Sequence, residues 1–150
     1  MEMSDLFRCL KEQHQVLQEY LDMLLKHQKA IIFADAAGLE ETIKSESDLL
    51  FNIGSCETRR QKIMQQLSVK YSLEINSNKL SDFLNEIKKK KLFDTANIVK
   101  LQNSIKKLIL ETIKINSQNK FLIEQARNFI KETIAAFTST NRNALVDRRY

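Results

Sequence analysis

Hydrophobic residues recur at intervals of seven along most of this chain, which is the spacing of helices that pack side by side. In the first segment, residues 4–33, the recurring positions include Leu10, Leu17, Leu24 and Ile31. Polar residues separate them throughout. The pattern predicts one long helix with a single buried face.

The second segment, residues 35–71, repeats the pattern with interruptions. Its apolar positions include Ile43, Leu50 and Met64, but Glu57 and Arg60 fall on the same lines and lie three residues apart. Residues three apart on a helix share one face. The pair either fixes the alignment of this helix with its neighbours or is half-buried because the stripe drifts around the helix. Gly54, in the middle of the segment, marks either a close approach of two helices or a point of bending.

Residues able to cap helices place the breaks between these segments. Ser4 or Asp5 is expected to cap the first helix, Asp35 the second and Asp94 or Thr95 the last. Because the break before Asp35 is short, the first two helices should form an antiparallel hairpin. In that hairpin, residues whose numbers sum to about 65 lie at equal height, which places Cys9 level with Cys56.

The pattern weakens between residues 72 and 94. A turn signal at residues 76–78 precedes a short apolar segment from Leu80 to Ile87, and four lysines follow at 88–91. We interpret the segment as a short middle helix. The lysines are typical of a solvated helix end, and a nucleic-acid site is the alternative.

The longest pattern covers residues 94–137. Its main line consists of Leu101, Leu108, Ile115, Leu122 and Phe129. At 1.5 Å per residue this helix spans about 66 Å, against about 45 Å for the first one. An apolar stripe that outruns its neighbours needs a partner or self-association. The alternative is that the short middle helix and Tyr71 cover the excess within an ordinary four-helix bundle.

The elements together predict an all-α fold. The expected architecture is an antiparallel helical bundle, or coiled coil, of three long helices with one short middle helix. The 150 residues include no proline and only two glycines, so the turns that sheets need are missing. Residues 1–137 form the single predicted domain, and residues 138–150 form a polar, flexible tail.

Composition adds charge asymmetry but no sign of catalysis. The net charge of +5 divides into −3 for residues 1–75 and +8 for residues 76–150. No cluster resembles a metal, cofactor or catalytic site, and His27 sits on the apolar face of its helix as a core histidine would. The cysteines are expected to be free thiols, and no apolar run is long enough to span a membrane. The start of the chain is acidic rather than signal-like, so we expect a cytoplasmic protein that is not an enzyme.

Two stretches resemble the FlgN-type flagellar export chaperones. The end of the second helix, residues 57–67, is similar to the family's run of glutamate, arginine and leucines. Residues 115–126 are similar to its paired asparagines before a Leu-Ile pair on the last helix. The layout agrees over roughly residues 6–137. The tail lacks the extension with tyrosine and glycine that many members carry.

The resemblance implies a function and a set of contacts. FlgN-type chaperones bind the C-terminal amphipathic helices of hook–filament junction proteins (FlgK/FlgL-like), prevent their premature assembly and deliver them to the export gate, where an FlhA-like cytoplasmic domain is a further partner. A homodimer is left open. The matching positions for the client-binding face are Asn116, Asn119, Leu122, Ile123, Ala126, Phe129 and Ile130. A structural coiled-coil adaptor, or a basic nucleic-acid-binding helical protein, is the alternative.

Overall fold

The computed structural model describes residues 2–147, with side chains up to residue 139. It contains four helices: α1 (Met3–Ile32), α2 (Ala36–Lys70), α3 (Leu80–Lys89) and α4 (Ala96–Asp147). The described part of the chain has no strand. The predicted all-α fold, with three long helices and a short one between them, is therefore confirmed.

Short polar side chains define the helix ends. The Asp35 carboxylate accepts a hydrogen bond from the backbone N–H of Gly38 at 3.0 Å, which makes it the cap of α2, as predicted. At α1 the prediction was wrong, because the cap position is Glu2, whose backbone N–H donates to Asp5 at 2.8 Å. Asp94 accepts from the backbone N–H of Ala96 at the start of α4. Local hydrogen bonding thus marks where α1, α2 and α4 begin.

The helix α1 lies between α2 and α4 and packs against both. The helices α1 and α2 run in opposite directions. Cys9 lies against the backbone carbonyl of Cys56, with Sγ and O 3.7 Å apart, and further along α1 Tyr20 lies against Glu46. The predicted antiparallel hairpin and the level pairing of the cysteines are confirmed. Both cysteines are buried free thiols.

The last helix runs parallel to α1. His14 Nε2 lies 2.9 Å from Ser104 Oγ near the start of both helices, and Asn119 bonds the carbonyl of Leu24 further along both. The short helix α3 and the segments on either side of it connect the end of α2 to the start of α4. The arrangement is therefore an up-down-up bundle in which α1 holds the other two long helices.

The hydrophobic core is widest where α3 is present. All four helices contribute buried residues to the larger cluster, which includes Leu6, Leu10, Leu17, Ile63, Leu67, Phe83, Ile87, Ile98 and Ile105. Beyond Leu17 a smaller cluster of α1 residues packs with Ile115 of α4. Since α3 reaches only one end of the bundle, the core narrows towards the other.

Because the core is narrow beside the first half of α2, two of the apolar positions predicted on this helix are not buried. Ile43 and Leu50, predicted on its apolar line, are 53% and 48% exposed, and the buried apolar residues of α2 begin at Cys56. A Cβ added at Gly54 would meet no atom within 4 Å, so close approach of two helices does not explain this glycine. The first half of α2 has too few neighbours to bury its stripe.

Glu57 and Arg60 form a network that ties three parts of the chain together. Arg60 is buried and donates to both carboxylate oxygens of Glu57, while Gln13 of α1 donates to Glu57 at 3.1 Å. Arg60 also donates to the backbone carbonyl of Asn78, ahead of α3, at 3.1 Å. Of the two interpretations of this pair, the contacts favour the one in which it fixes alignment.

The helix α4 continues ten residues beyond Phe137, where the pattern predicted its end, and reaches Asp147. No glycine or proline interrupts residues 138–147. The flexibility predicted for residues 138–150 stays a prediction, and residues 148–150 lie outside the described part of the chain.

The Glu57 network should make the free energy of unfolding depend on pH at acidic pH. Hydrogen bonds from Arg60 lower the pKa of Glu57 from 4.5 to about 2. Because the pKa of Glu57 is lower in the folded protein than in the unfolded chain, its carboxylate stabilises the fold fully above pH 4.5. This stabilisation is lost as the pH falls towards 2. The shift corresponds to at most about 3 kcal/mol, and because 38% of the Glu57 side chain is exposed, screening reduces this to about 1–2 kcal/mol.

Urea unfolding followed by circular dichroism at several pH values measures this effect. The variant Glu57→Gln should be less stable than the wild type at about pH 7 and should lose less stability as the pH falls below the ordinary pKa of a glutamate. Parallel pH profiles for the two proteins would show that Glu57 carries no such linkage.

Candidate functional site

The last helix outruns the helix that supports it. Gln28, one turn before the end of α1, donates to Gln118 of α4 at 3.1 Å, and α1 ends at Ile32. From Leu122 to Asp147, α4 has 26 further residues, about 39 Å of helix. We call residues 122–147 the arm. From Ile123 to Ser139 every side chain of the arm is exposed.

The exposed stripe of the arm continues the face by which α4 packs on α1. Ile105 and Ile115 on this face are buried, and Leu122 at the base of the arm is half-buried. One heptad further, Phe129 is 70% exposed. Because the helical repeat keeps these positions on one side, the arm presents a core-like surface with no helix against it among the described residues. The alternative, in which α3 and Tyr71 cover the excess, is wrong, since they pack at the opposite end of the bundle.

The structure places most of the predicted site residues on or beside this stripe. Ile123, Ala126, Phe129 and Ile130 are exposed on the arm, Leu122 lies half-buried at its base, and Asn116 is exposed six residues before Leu122. Asn119 is the exception.

Asn119 is 3% exposed and turned towards α1, where its Nδ2 donates to the backbone carbonyl of Leu24 at 3.0 Å. It therefore aligns α4 with α1, in addition to any contact it makes with a bound partner. Asn119 lies on the heptad line of Ile98 and Ile105, whereas Asn116 lies off that line, so the spacing in the sequence was the signal that separates the two asparagines.

Further apolar residues near the base of the arm were missed by the sequence prediction. Ile32 at the end of α1 and Phe121 of α4 are each 59% exposed. Gln28, Ile32, Ser117, Gln118, Phe121 and Leu122 line a shallow depression between the two helices. The apolar run of residues 30–34 was the available signal, but such a run is equally typical of a buried core.

A second depression, here called the polar cleft, lies on the other side of α4. Its lining combines α1, α2 and α4 and encloses about 420 Å³. The lining residues are Leu24, His27, Glu46, Asn116, Asn119, Lys120, Ile123, Glu124 and Arg127. His27 is buried there and its Nδ1 lies 2.9 Å from Thr42 Oγ1, which confirms the core histidine predicted from the sequence.

Within the described residues, no three His, Cys, Asp or Glu side chains converge in a way that could hold a metal ion. None of the helices, over their described lengths, is long and apolar enough to cross a membrane. What the geometry offers is a long apolar helix face with polar groups at its base, which is a surface for binding another helix.

Comparison with known proteins agrees with this geometry. The sequence model of the FlgN protein family matches residues 1–146. The chain belongs to the FlgN family. This FlgN protein is therefore a flagellar export chaperone that binds flagellar proteins, as the resemblance indicated. No curated protein and no solved structure matches the chain.

The contrast between bundle and arm in this FlgN protein predicts unequal effects of the same substitution. Ile115→Ala removes a 6% exposed side chain from the core and should cost about 2–4 kcal/mol of unfolding free energy. Ile130→Ala removes a 55% exposed side chain from the same face and should change it by less than about 0.5 kcal/mol. Urea unfolding of both variants measures the difference. A comparable loss in Ile130→Ala would mean that the arm is packed in solution.

Proposed function

We propose that the arm binds the C-terminal amphipathic helices of hook–filament junction proteins (FlgK/FlgL-like) in the cytoplasm before their export. The observation that carries the proposal is the exposed apolar stripe of the arm, which continues the core-facing side of α4 beyond the end of α1. Family membership supplies the class of client. The client face consists of Leu122, Ile123, Ala126, Phe129 and Ile130, and Asn116 lies at its edge.

The bound client helix takes the position along α4 that α1 occupies in the bundle. The spacing of Leu122, Ala126, Phe129 and Ile130 fits the i, i+4, i+7 and i+8 anchors of a helix-to-helix contact. The exposed Ile32 at the end of α1, beside Phe121 and Leu122, would then meet the end of the client helix. The client thus extends the core by about the length of the arm.

Such binding would prevent premature assembly by simple occupancy. A client helix that buries its apolar face on the arm cannot use that face to pack into a filament. Delivery follows if the complex then docks on the export gate, for which an FlhA-like cytoplasmic domain is the partner. Export requires release, and a contact formed by one helix face can be undone without unfolding the bundle, whose core ends at Asn119.

The contacts of the lysine run at residues 88–91 do not favour the nucleic-acid-binding alternative. Lys89 pairs with Glu86, and Lys90 donates to the backbone carbonyl of Ser72. The first contact lies within α3 and the second joins the end of α3 to the segment after α2, as expected of a solvated helix end. A structural adaptor without an export role, the other alternative from the sequence, predicts no preference for flagellar clients and is not favoured by membership of the FlgN family.

Replacing the apolar stripe should abolish client binding while leaving the bundle folded. The double variants Leu122→Ser/Ile123→Ser and Phe129→Ser/Ile130→Ser each remove buried area from the proposed contact, and each should raise the Kd for the client by at least about tenfold. Titration calorimetry with the C-terminal segments of the junction proteins from the same cell gives the Kd. Circular dichroism gives the helical content, which should be unchanged for Phe129→Ser/Ile130→Ser.

Phe51→Ser provides a matched control, because Phe51 is 75% exposed on α2, away from the arm. It should bind the client as the wild type does. Equal weakening by Phe51→Ser and by the arm variants would point to non-specific hydrophobic binding. A wild-type protein that binds none of these segments would refute the proposed function.

A further inference from the structure

A second line of apolar residues runs along α4 on the side that faces away from α1. Val99, Leu110 and Ile113 belong to it and are 38%, 68% and 57% exposed. Leu110 lies five residues from both Ile105 and Ile115, which are buried in the core, and this spacing turns Leu110 by about 140° around the helix from each of them. The line therefore faces solvent and is separate from the client face.

Four lysines lie on or beside this line, namely Lys100, Lys106, Lys107 and Lys114. All four are exposed, and none of them makes a hydrogen bond or an ion pair with another described residue. Glu111 is the one acidic residue between positions 99 and 117, so this stretch carries a net charge of +3. We call Val99, Leu110, Ile113 and these four lysines the outer face of α4.

The shape of the outer face favours a flat partner. Leu110 and Ile113 line neither the depression at the base of the arm nor the polar cleft, so they stand on the convex surface of one helix. A partner helix is best held in a groove between two helices, and the outer face offers none. Residues 99–117 also contain no aromatic side chain on which nucleic-acid bases could stack.

Apolar residues in line with lysines on one helix face are typical of helices that lie on a membrane surface. The apolar side chains enter the boundary between headgroups and acyl chains. Each lysine extends its methylene groups along the same boundary and keeps its ammonium group at the level of the phosphates. The outer face of α4 has both components side by side.

The distribution of charge over the whole chain favours the same contact. Residues 76–150 carry a net charge of +8, and residues 1–75 carry −3, so α4 belongs to the basic half of the molecule. The cytoplasmic leaflet of a membrane contains anionic lipids, and its negative potential attracts lysines near the surface. Such a surface attracts the basic half and repels the acidic half, which brings α4 towards it.

We propose that the outer face of α4 binds the surface of an anionic phospholipid bilayer. The four lysines contact lipid phosphates, Leu110 and Ile113 enter the headgroup region, and α4 lies in the plane of the surface. The protein lies on the bilayer and does not cross it, since none of the helices over their described lengths is long and apolar enough to span one. The inference does not rest on the proposed function, because the outer face and the client face have no residue in common.

Sedimentation of the full chain with lipid vesicles tests this. The protein should sediment with vesicles of phosphatidylglycerol and phosphatidylcholine in equal amounts and stay in solution with vesicles of phosphatidylcholine alone. Raising the salt from about 0.1 M to about 0.5 M should lower the partition coefficient at least about tenfold, because salt screens the lysines. The variants Lys106→Gln/Lys107→Gln and Leu110→Ser/Ile113→Ser should each lower it about tenfold at the lower salt concentration.

Matched controls separate the outer face from charge and hydrophobicity in general. Lys26→Gln/Lys29→Gln removes the same charge from exposed positions on α1, and Phe51→Ser/Val69→Ser removes exposed apolar side chains from α2. Both should bind anionic vesicles as the wild type does. Circular dichroism checks the helical content of every variant. If Leu110→Ser/Ile113→Ser does not fold, the two lysine pairs decide by themselves.

Three results would overturn the inference. The first is a wild-type protein that does not sediment with anionic vesicles, and the second is equal sedimentation with both kinds of vesicle. The third is equal weakening by the α1 and α4 lysine pairs, which would mean that net charge alone drives binding. The outer-face variants should keep the wild-type Kd for the junction segments, so failure of this inference and failure of the proposed function are measured separately.

Discussion

The length of α1 governs how the other long helices are arranged and where the core stops. It is the one helix that packs against both of them, and it ends at Ile32. Where α1 is present, apolar residues of α4 such as Ile105 and Ile115 are buried, and beyond it the same face of α4 is exposed at Phe129 and Ile130. The boundary between the core and the exposed apolar face of α4 is therefore set by the end of a neighbouring helix and not by any change in the α4 sequence.

Polar groups within the apolar seams hold the helices in register. Glu57 and Arg60 join α1, α2 and the segment before α3, His27 joins α1 to α2, and Asn119 joins α4 to α1. Heptad seams of similar aliphatic residues can slide by a turn with little loss of contact, whereas a buried hydrogen bond is lost completely by such a slip. Alignment matters here because a slip of α4 would change how much of its stripe extends past α1.

The arm and the wide core occupy different parts of the molecule. The apolar stripe of the arm lies beyond the end of α1, whereas the cluster that α3 completes lies at the opposite end of the bundle. Under the proposed function, a client would therefore bind and leave without disturbing the residues that keep the bundle folded.

Local patterns in the amino-acid sequence were enough to predict the number and order of the helices, the cap at Asp35, the antiparallel hairpin that sets Cys9 beside Cys56 and the excess length of the last helix. These features follow from local rules, because helical periodicity and capping depend on residues a few positions apart. The packing of the helices was needed to show that Ile43 and Leu50 are exposed, that Arg60 is buried and that Ile32 joins the base of the arm. Burial depends on which helices lie nearby, and a heptad stripe looks the same whether its partner is part of the chain or still to be bound.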